Sequence, residues 1–136
     1  NFATTFLLSL NRSDRIVQWV RAGHEPAMLY NIEQETFTEL RENGVALGIE
    51  PTIHYSSHSI CLPKGEHLVF IGSDGLTDLE DPNGQQFGKK RLQQLIRQHA
   101  FRSAKGINAK IIQEIEAYVG NLRPNDDITV VVAKIR

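Results

Sequence analysis

Two acidic turns, each next to an apolar run with the composition of a β-strand, constrain the fold of this chain more than any other feature. The turn at 73–78 follows the apolar run 67–72, and the turn at 125–129 leads into the apolar run 128–133. If the two runs pair antiparallel, the end of the first lies beside the start of the second. The sequence therefore predicts that Asp74 and Asp126 converge at one end of a sheet.

The chemistry of the two turns favours a hard divalent cation. Aspartate oxygens clustered without nearby His or Cys ligand spacing suit Mg²⁺ or Mn²⁺ better than zinc. Asp-Gly and Asn-Asp are also ordinary turn formers, because Asp and Asn bond their own backbone and Gly permits positive φ. Each turn alone is therefore explained by turn geometry, and only their pairing indicates a site.

The histidines are less informative than the aspartates. His24 follows Gly23, and we predict that it bonds a loop carbonyl instead of serving as a general acid. His54 and His58 are four residues apart, but in a predicted strand this spacing does not create a pair of metal ligands.

Length and composition limit the class of protein. The 136 residues are enough for one domain with its own core, and 40% hydrophobic with 23% charged residues argue against disorder. A net charge of −1 without a Lys/Arg cluster predicts that the chain binds neither nucleic acid nor an anionic membrane.

Cysteine usage and hydropathy give an expected location. Cys61, the one cysteine, lies between Ile60 and Leu62, which predicts a buried side chain and favours a reducing, cytoplasmic setting. No run reaches the roughly eighteen apolar residues of a membrane span, and no secretion leader is visible, so we expect a soluble domain without membrane insertion.

The order of the predicted elements places strands first and helices late. Strands are predicted at 3–10 and 16–22, joined by a hairpin-length connector, then at 27–31, 36–40, 53–62 and 67–72 in a β-meander, with a last strand at 127–135. Both faces of 16–22 carry apolar residues, which predicts a sheet covered on both sides.

Two amphipathic helices precede the last strand. The first spans 89–100, and the second is capped by Ser103 and ends at Gly120. Their apolar stripes comprise Leu92, Leu95, Ile96 and His99 in the first helix and Ile107, Ile111, Ile112, Ile115, Tyr118 and Val119 in the second. Since both stripes need a sheet to cover, the predicted class is α+β with helices on mainly antiparallel strands.

Five motifs in fixed order resemble one family. Residues 21–29 (RAGHEPAML), 46–49 (ALGI), 73–78 (SDGLTD), 83–88 (NGQQFG) and 126–132 (DDITVVV) are similar to the SpoIIE/RsbU-like branch of the metal-dependent serine/threonine protein phosphatases, also called the PPM or type 2C-like phosphatases. The similarity extends over essentially the whole chain.

The resemblance implies both a fold and a reaction. The implied fold is a PPM-type sandwich of two mainly antiparallel β-sheets flanked by helices, with a two-metal site at one end of the sheets. Two Mn²⁺ or Mg²⁺ ions there share a water molecule and raise its acidity, and the resulting hydroxide attacks the phosphorus of phosphoserine in line.

The family's site residues carry over onto four positions of this chain. Asp74 and Asp126 correspond to the metal ligands of the family's two Asp turns. Asp127 is placed to orient a ligand or a metal-bound water, and Asp78 to contact an accessory metal.

One family motif has no counterpart here. Members carry an earlier Gly-Asp…Asp motif whose first Asp bridges both metals. We therefore expect residues 1–136 to be a single domain, the C-terminal portion of a phosphatase domain lacking the N-terminal metal-binding motif, with weak or single-metal binding and negligible turnover by itself.

The resemblance also implies partners, and it leaves two alternatives. The substrate would be a phosphorylated regulator of the anti-anti-sigma type in bacterial signalling, and the parent chain would carry an upstream sensor or receiver domain. The first alternative is a non-catalytic pseudophosphatase that sequesters a regulatory protein. The second is a metal-free β-rich domain whose Asp turns are only turns.

Overall fold

The described part of the chain forms two antiparallel sheets and three helices. The computed structural model describes residues 1–42, 44–124 and 126–136. In chain order these elements are β1 (Thr5–Asn11), β2 (Ile16–Ala22), β3 (Ala27–Asn31), β4 (Thr36–Leu40), β5 (His58–Cys61), β6 (His67–Gly72), α1 (Asp74–Thr77), α2 (Gly88–His99), α3 (Ala104–Val119) and β7 (Val130–Ile135). The predicted α+β class is confirmed.

The chain moves between the two sheets. The first sheet has the order β1-β2-β5 and the second the order β4-β3-β6-β7. The predicted hairpins β1–β2 and β3–β4 are confirmed, with Thr5 opposite Ala22 and Ala27 opposite Leu40. The predicted meander is wrong after β4, because β5 pairs with β2 and β6 returns to β3.

The second sheet is the central layer of the molecule. All five residues of β3 are buried, since alternate side chains enter two different cores. Met28 and Tyr30 pack in the core that the sheet shares with α2 and α3, whereas Ala27 and Leu29 pack in the core between the sheets. Burial from both sides therefore fixes β3 and β6 at the centre of the fold.

The first sheet is covered on one side only. Its inner face carries Val17 and Trp19, which are buried between the sheets. Its outer face carries Leu7, which is 62% exposed, and Ser9 and Gln18, which are also exposed. The prediction of cover on both sides is wrong for this sheet in the residues described.

The two late helices lie close to their predicted ranges. Ser103 caps α3 by accepting a hydrogen bond from the Gly106 amide at 3.1 Å, and α3 ends at Gly120 with a φ of 58°. The predicted stripe fails at Ile112, which is 45% exposed, whereas Ile111 is fully buried. Consecutive helical residues are about 100° apart, so Ile112 points away from the core.

Strand β5 corrects the prediction for Cys61. The strand is only His58–Cys61, shorter than the predicted 53–62. Its side chains alternate between the inner face and solvent, which buries Ile60 partly and exposes Cys61. The predicted burial of Cys61 is therefore wrong, and the predicted cytoplasmic setting stays a prediction. None of the helices in the described ranges is long and apolar enough to cross a bilayer.

Candidate metal centre

The pairing of β6 with β7 brings the two acidic turns to one end of the central sheet. The strands are antiparallel, and their last pair at this end is Gly72 with Val130. Beyond it the backbones stay joined, since the Ser73 amide donates to the Thr129 carbonyl at 3.1 Å. Asp74 and Asp126 therefore lie on neighbouring segments and line the same cavity of about 420 Å³.

Ser73 ties the two segments together with its side chain. Its Oγ donates to the Asp127 carbonyl at 3.2 Å and accepts a hydrogen bond from the Thr129 amide at 3.1 Å. The hydroxyl thus satisfies two backbone groups that lie beyond the end of the β6–β7 ladder. Its position fixes the backbone around Asp127 relative to the start of α1.

Gly75 allows the two segments to approach closely. A Cβ atom at this position would lie 2.9 Å from the Asp127 carbonyl oxygen and 3.6 Å from the Cβ of Asp126. The first distance is shorter than side chains tolerate against a backbone oxygen, so any larger residue would push the segments apart. The glycine of the Asp-Gly turn therefore has a packing function between the two aspartates.

The two aspartates are held in the same way. Oδ1 of Asp74 accepts a hydrogen bond from the Gly75 amide at 2.9 Å, and Oδ1 of Asp126 accepts one from the Asp127 amide at 2.9 Å. Among the described residues, hydrogen bonds reach only Oδ1 of each carboxylate. Both side chains are exposed, so each retains an oxygen for a ligand.

Asp74 is anchored to the core through α1. The sequence predicts a turn here, but Asp74 is the first residue of a one-turn helix. Leu76, two residues later, is fully buried in the core beneath α2 and α3. The carboxylate is thus exposed on an element whose opposite side is fixed by packing.

The structure separates the two other predicted site residues. Asp78 follows α1 and lines the same cavity as Asp74 and Asp126. Asp127 instead lines the adjoining open surface, which Asp126 shares. Asn125, which opens the second predicted turn, lies outside the described residues.

Two further charged residues line the cavity and were missed by the sequence prediction. Glu80 lies two residues after Asp78, and Arg123 lies three residues before Asp126. Both lie within three residues of a predicted ligand, but no local pattern distinguishes a charged residue that borders a cavity from one on open surface.

The donor set suits a hard cation. The described lining of the cavity contains four carboxylates, from Asp74, Asp78, Glu80 and Asp126, and no histidine or cysteine. Within the described ranges, however, no three His, Cys, Asp or Glu residues lie close enough together to hold a metal by themselves. A cation at Asp74 and Asp126 would therefore need water or further oxygen ligands.

A second cavity also adjoins α1. It has a volume of about 340 Å³ and shares Asp74 and Asp78 with the first, while Met28 and Phe70 contribute apolar surface. Lys89 lies at this cavity and pairs with Glu39. Hydrogen bonding to Lys89 holds the pKa of the Glu39 carboxyl below its ordinary value.

The histidines considered from the sequence lie outside both cavities. Nδ1 of His24 is 2.9 Å from the Glu25 carbonyl, which confirms the predicted contact with a loop carbonyl. His58 packs against Trp19 with ring centroids 5.9 Å apart, and His54 is exposed.

Comparison with known proteins gives one family for the whole chain. The family model described as Stage II sporulation protein E (SpoIIE) matches residues 1–136. Phosphoserine phosphatase RsbU of Bacillus subtilis (strain 168) is 31% identical over 133 residues, which cover 98% of this chain and 39% of RsbU. The chain therefore spans about two fifths of the length of this curated relative.

Solved structures share the fold at lower identity. The SiaA-PP2C domain of Pseudomonas aeruginosa superposes with a TM-score of 0.81 at 22% identity, over 95% of this chain and 50% of that one. The phosphatase domain of SpoIIE from Bacillus subtilis, presoaked with Mn, gives a TM-score of 0.71 at 17% identity, over 97% of this chain and 56% of that one. RsbX in complex with magnesium gives 0.62 at 19% identity, over 98% and 56% of the respective chains. The two-sheet sandwich is thus the PP2C-type fold.

Proposed function

Because the chain belongs to the SpoIIE family, we propose that it forms part of a metal-dependent serine/threonine protein phosphatase. The observation that carries this proposal is the meeting of Asp74 and Asp126 at one cavity, on segments held together by Ser73 and Gly75. The name of RsbU, phosphoserine phosphatase, supports phosphoserine as the group hydrolysed.

The proposed metal ligands are Asp74 and Asp126, and the proposed cations are Mn²⁺ or Mg²⁺. Such ions supply positive charge for the phosphoryl oxygens and make water a better nucleophile at neutral pH. The chain's own contribution is to position the ligands, since the amides of Gly75 and Asp127 each hold one carboxylate oxygen. Asp78 is proposed to contact an accessory cation, and Asp127 to orient a ligand or water from the adjoining surface.

We propose that the remaining metal ligands come from outside this sequence. The three carboxylates proposed to contact a cation, those of Asp74, Asp78 and Asp126, do not complete the coordination of two ions. The solved SiaA-PP2C domain is also about twice as long as the part matched here. Residues 1–136 would then be the C-terminal portion of the phosphatase domain. On their own they should bind a divalent cation weakly and turn over phosphoserine negligibly.

The proposed substrate is a phosphoserine-bearing regulatory protein of the anti-anti-sigma type. Dephosphorylation of such a protein would take place in the cytoplasm and would control transcription. A sensor or receiver domain elsewhere in the full-length protein, here called the parent, would regulate it. These proposals rest on the family resemblance and on no contact within the described residues.

Isosteric substitution of the two aspartates tests the function. In the parent with Mn²⁺ and a phosphoserine protein, Asp74→Asn and Asp126→Asn should each lower kcat by on the order of a hundredfold or more, since each removes a charged ligand. Asp14→Asn, an exposed change in the turn between β1 and β2, is the matched control and should retain activity. Full activity of both site variants would refute the phosphatase assignment.

The second candidate is a pseudophosphatase that binds a regulatory protein without catalysis. The motive for this candidate is that residues 1–136 contain no counterpart of the family's Gly-Asp…Asp motif. Calorimetric titration of the parent with Mn²⁺ separates the two candidates. Metal uptake with turnover supports the enzyme, whereas partner binding without turnover or metal uptake supports the binding module. A metal-free domain whose aspartates only form turns would show no phosphatase activity, no Mn²⁺ uptake and no partner binding.

A further inference from the structure

The acidic cavity contains a cation that the proposed metal site does not use. Among the described residues that line the cavity, Arg123 is the one positively charged side chain, beside the carboxylates of Asp74, Asp78, Glu80 and Asp126. The ion pairs found between described residues involve Glu39 and Glu66, and none of them includes Arg123. An arginine beside four carboxylates, without an ion pair to any of them, is placed to interact with another anion.

The local backbone fixes where Arg123 lies. Helix α3 ends at Gly120, and the Leu122 amide still bonds the Val119 carbonyl at 3.0 Å. Pro124 then disfavours a helical backbone conformation at Arg123. Arg123 and Asp126 both line the cavity and also the adjoining surface, so the arginine stands at the edge where a solvent-borne group would enter.

The chemistry of guanidinium matches a phosphoryl group. Arginine presents N–H donors in a planar fork that binds two oxygens of a phosphate at once, and it stays charged at every physiological pH. The carboxylates of the cavity repel a phosphate dianion and have no hydrogen to donate to it. A hydrogen-bond donor at the entrance would therefore complement the cations that the aspartates are proposed to hold.

We infer that Arg123 binds the non-bridging oxygens of the phosphoryl group, both in the phosphoserine substrate and in the inorganic phosphate product. This inference rests on the proposed phosphatase function and adds a substrate-binding residue to it. The competing explanation is that Arg123 only offsets repulsion among the carboxylates. A simple counter-charge needs no fork, so lysine would serve equally well.

Inorganic phosphate is the probe that separates these roles. The parent loaded with Mn²⁺ should bind phosphate, measured by calorimetry and as an inhibition constant against a phosphoserine substrate. Arg123→Gln should weaken phosphate binding and raise KM by about tenfold to a hundredfold, the range expected for a hydrogen bond between charged groups. Arg123→Lys should recover only part of the lost phosphate affinity. Arg12→Gln, an exposed change outside the cavity, should leave phosphate affinity and KM unchanged.

Each contrary result has a definite meaning. Wild-type phosphate affinity in Arg123→Gln, or full recovery in Arg123→Lys, would overturn the inference. The absence of phosphate binding by the Mn²⁺-loaded wild type would overturn it as well. The phosphatase proposal fails separately, if Asp74→Asn and Asp126→Asn both keep full activity. That test uses no variant of Arg123.

Discussion

Replacing Ser73 by alanine tests the mechanical link between the two acidic segments. The variant removes the hydrogen bonds from Oγ to the Asp127 carbonyl, 3.2 Å, and from the Thr129 amide to Oγ, 3.1 Å. Each is worth roughly 0.5–1.5 kcal/mol, and both distances are at the long end for their type. Water can replace part of each bond at this exposed position, so the free energy of unfolding should fall by about 1–2 kcal/mol. The bond from the Ser73 amide to the Thr129 carbonyl remains, which keeps the strands paired.

The functional consequence should exceed the loss of stability. Without the Ser73 hydroxyl, Asp126 is held less firmly relative to Asp74, and the affinity of the parent for Mn²⁺ should fall by about tenfold. Urea denaturation measures the loss of stability, and calorimetric titration with Mn²⁺ measures the loss of metal affinity.

Ser103→Ala is the matched control. It removes the cap of α3, a single bond from the Gly106 amide at 3.1 Å, and should cost about 1 kcal/mol. Ser103 does not line the acidic cavity, so Mn²⁺ affinity should be unchanged. If both variants weaken Mn²⁺ binding equally, the inference that the Ser73 hydroxyl holds the two acidic segments together is wrong. It is also wrong if Ser73→Ala changes neither the free energy of unfolding nor the Mn²⁺ affinity.

Three further predictions concern packing and pH. Gly75→Ala places a methyl group 2.9 Å from the Asp127 carbonyl and should lower stability by about 1–3 kcal/mol in thermal denaturation, so an unchanged Tm would contradict the close approach. Ile111→Ala should cost about 2–5 kcal/mol in urea, and Ile112→Ala about 0.5 kcal/mol or less, because only Ile111 is buried; equal losses would contradict the orientation of α3. Burial lowers the pKa of the His67 imidazole below its ordinary value of 6.5. As the pH falls below 6.5 the unfolded chain binds a proton before the folded chain does, so stability should be greatest above this pH and decline below it. The urea midpoint measured across this range should depend less on pH in His67→Gln, and an identical pH dependence would exclude His67 as a cause.

Local patterns gave most of the elements. The segments 27–31 and 36–40 are predicted as a pair of short strands, and the structure has strands at the same residues. The cap at Ser103 and the glycine at 120 bound α3 as predicted. These features depend on neighbours in the sequence, because capping, turn formation and helical periodicity are set within a few residues.

The candidate site was only partly predictable. The prediction that β6 and β7 pair antiparallel is confirmed, and with that pairing Asp74 and Asp126 share a cavity. Their role as metal ligands stays a prediction. Arg123 was missed because no local pattern distinguishes an arginine that borders a cavity from one on open surface.

The sequence by itself determined most of the strands, the two longer helices and the family, because these follow from local periodicity and from motifs kept in order. Tertiary structure alone decided that β5 joins β2, which leaves Cys61 and Leu7 exposed on the outer side. It also decided that Gly75 packs on the Asp127 carbonyl. The physical reason is that a strand's alternation defines two faces without specifying its neighbour, so side-chain exposure and close backbone contacts arise only when distant segments pair.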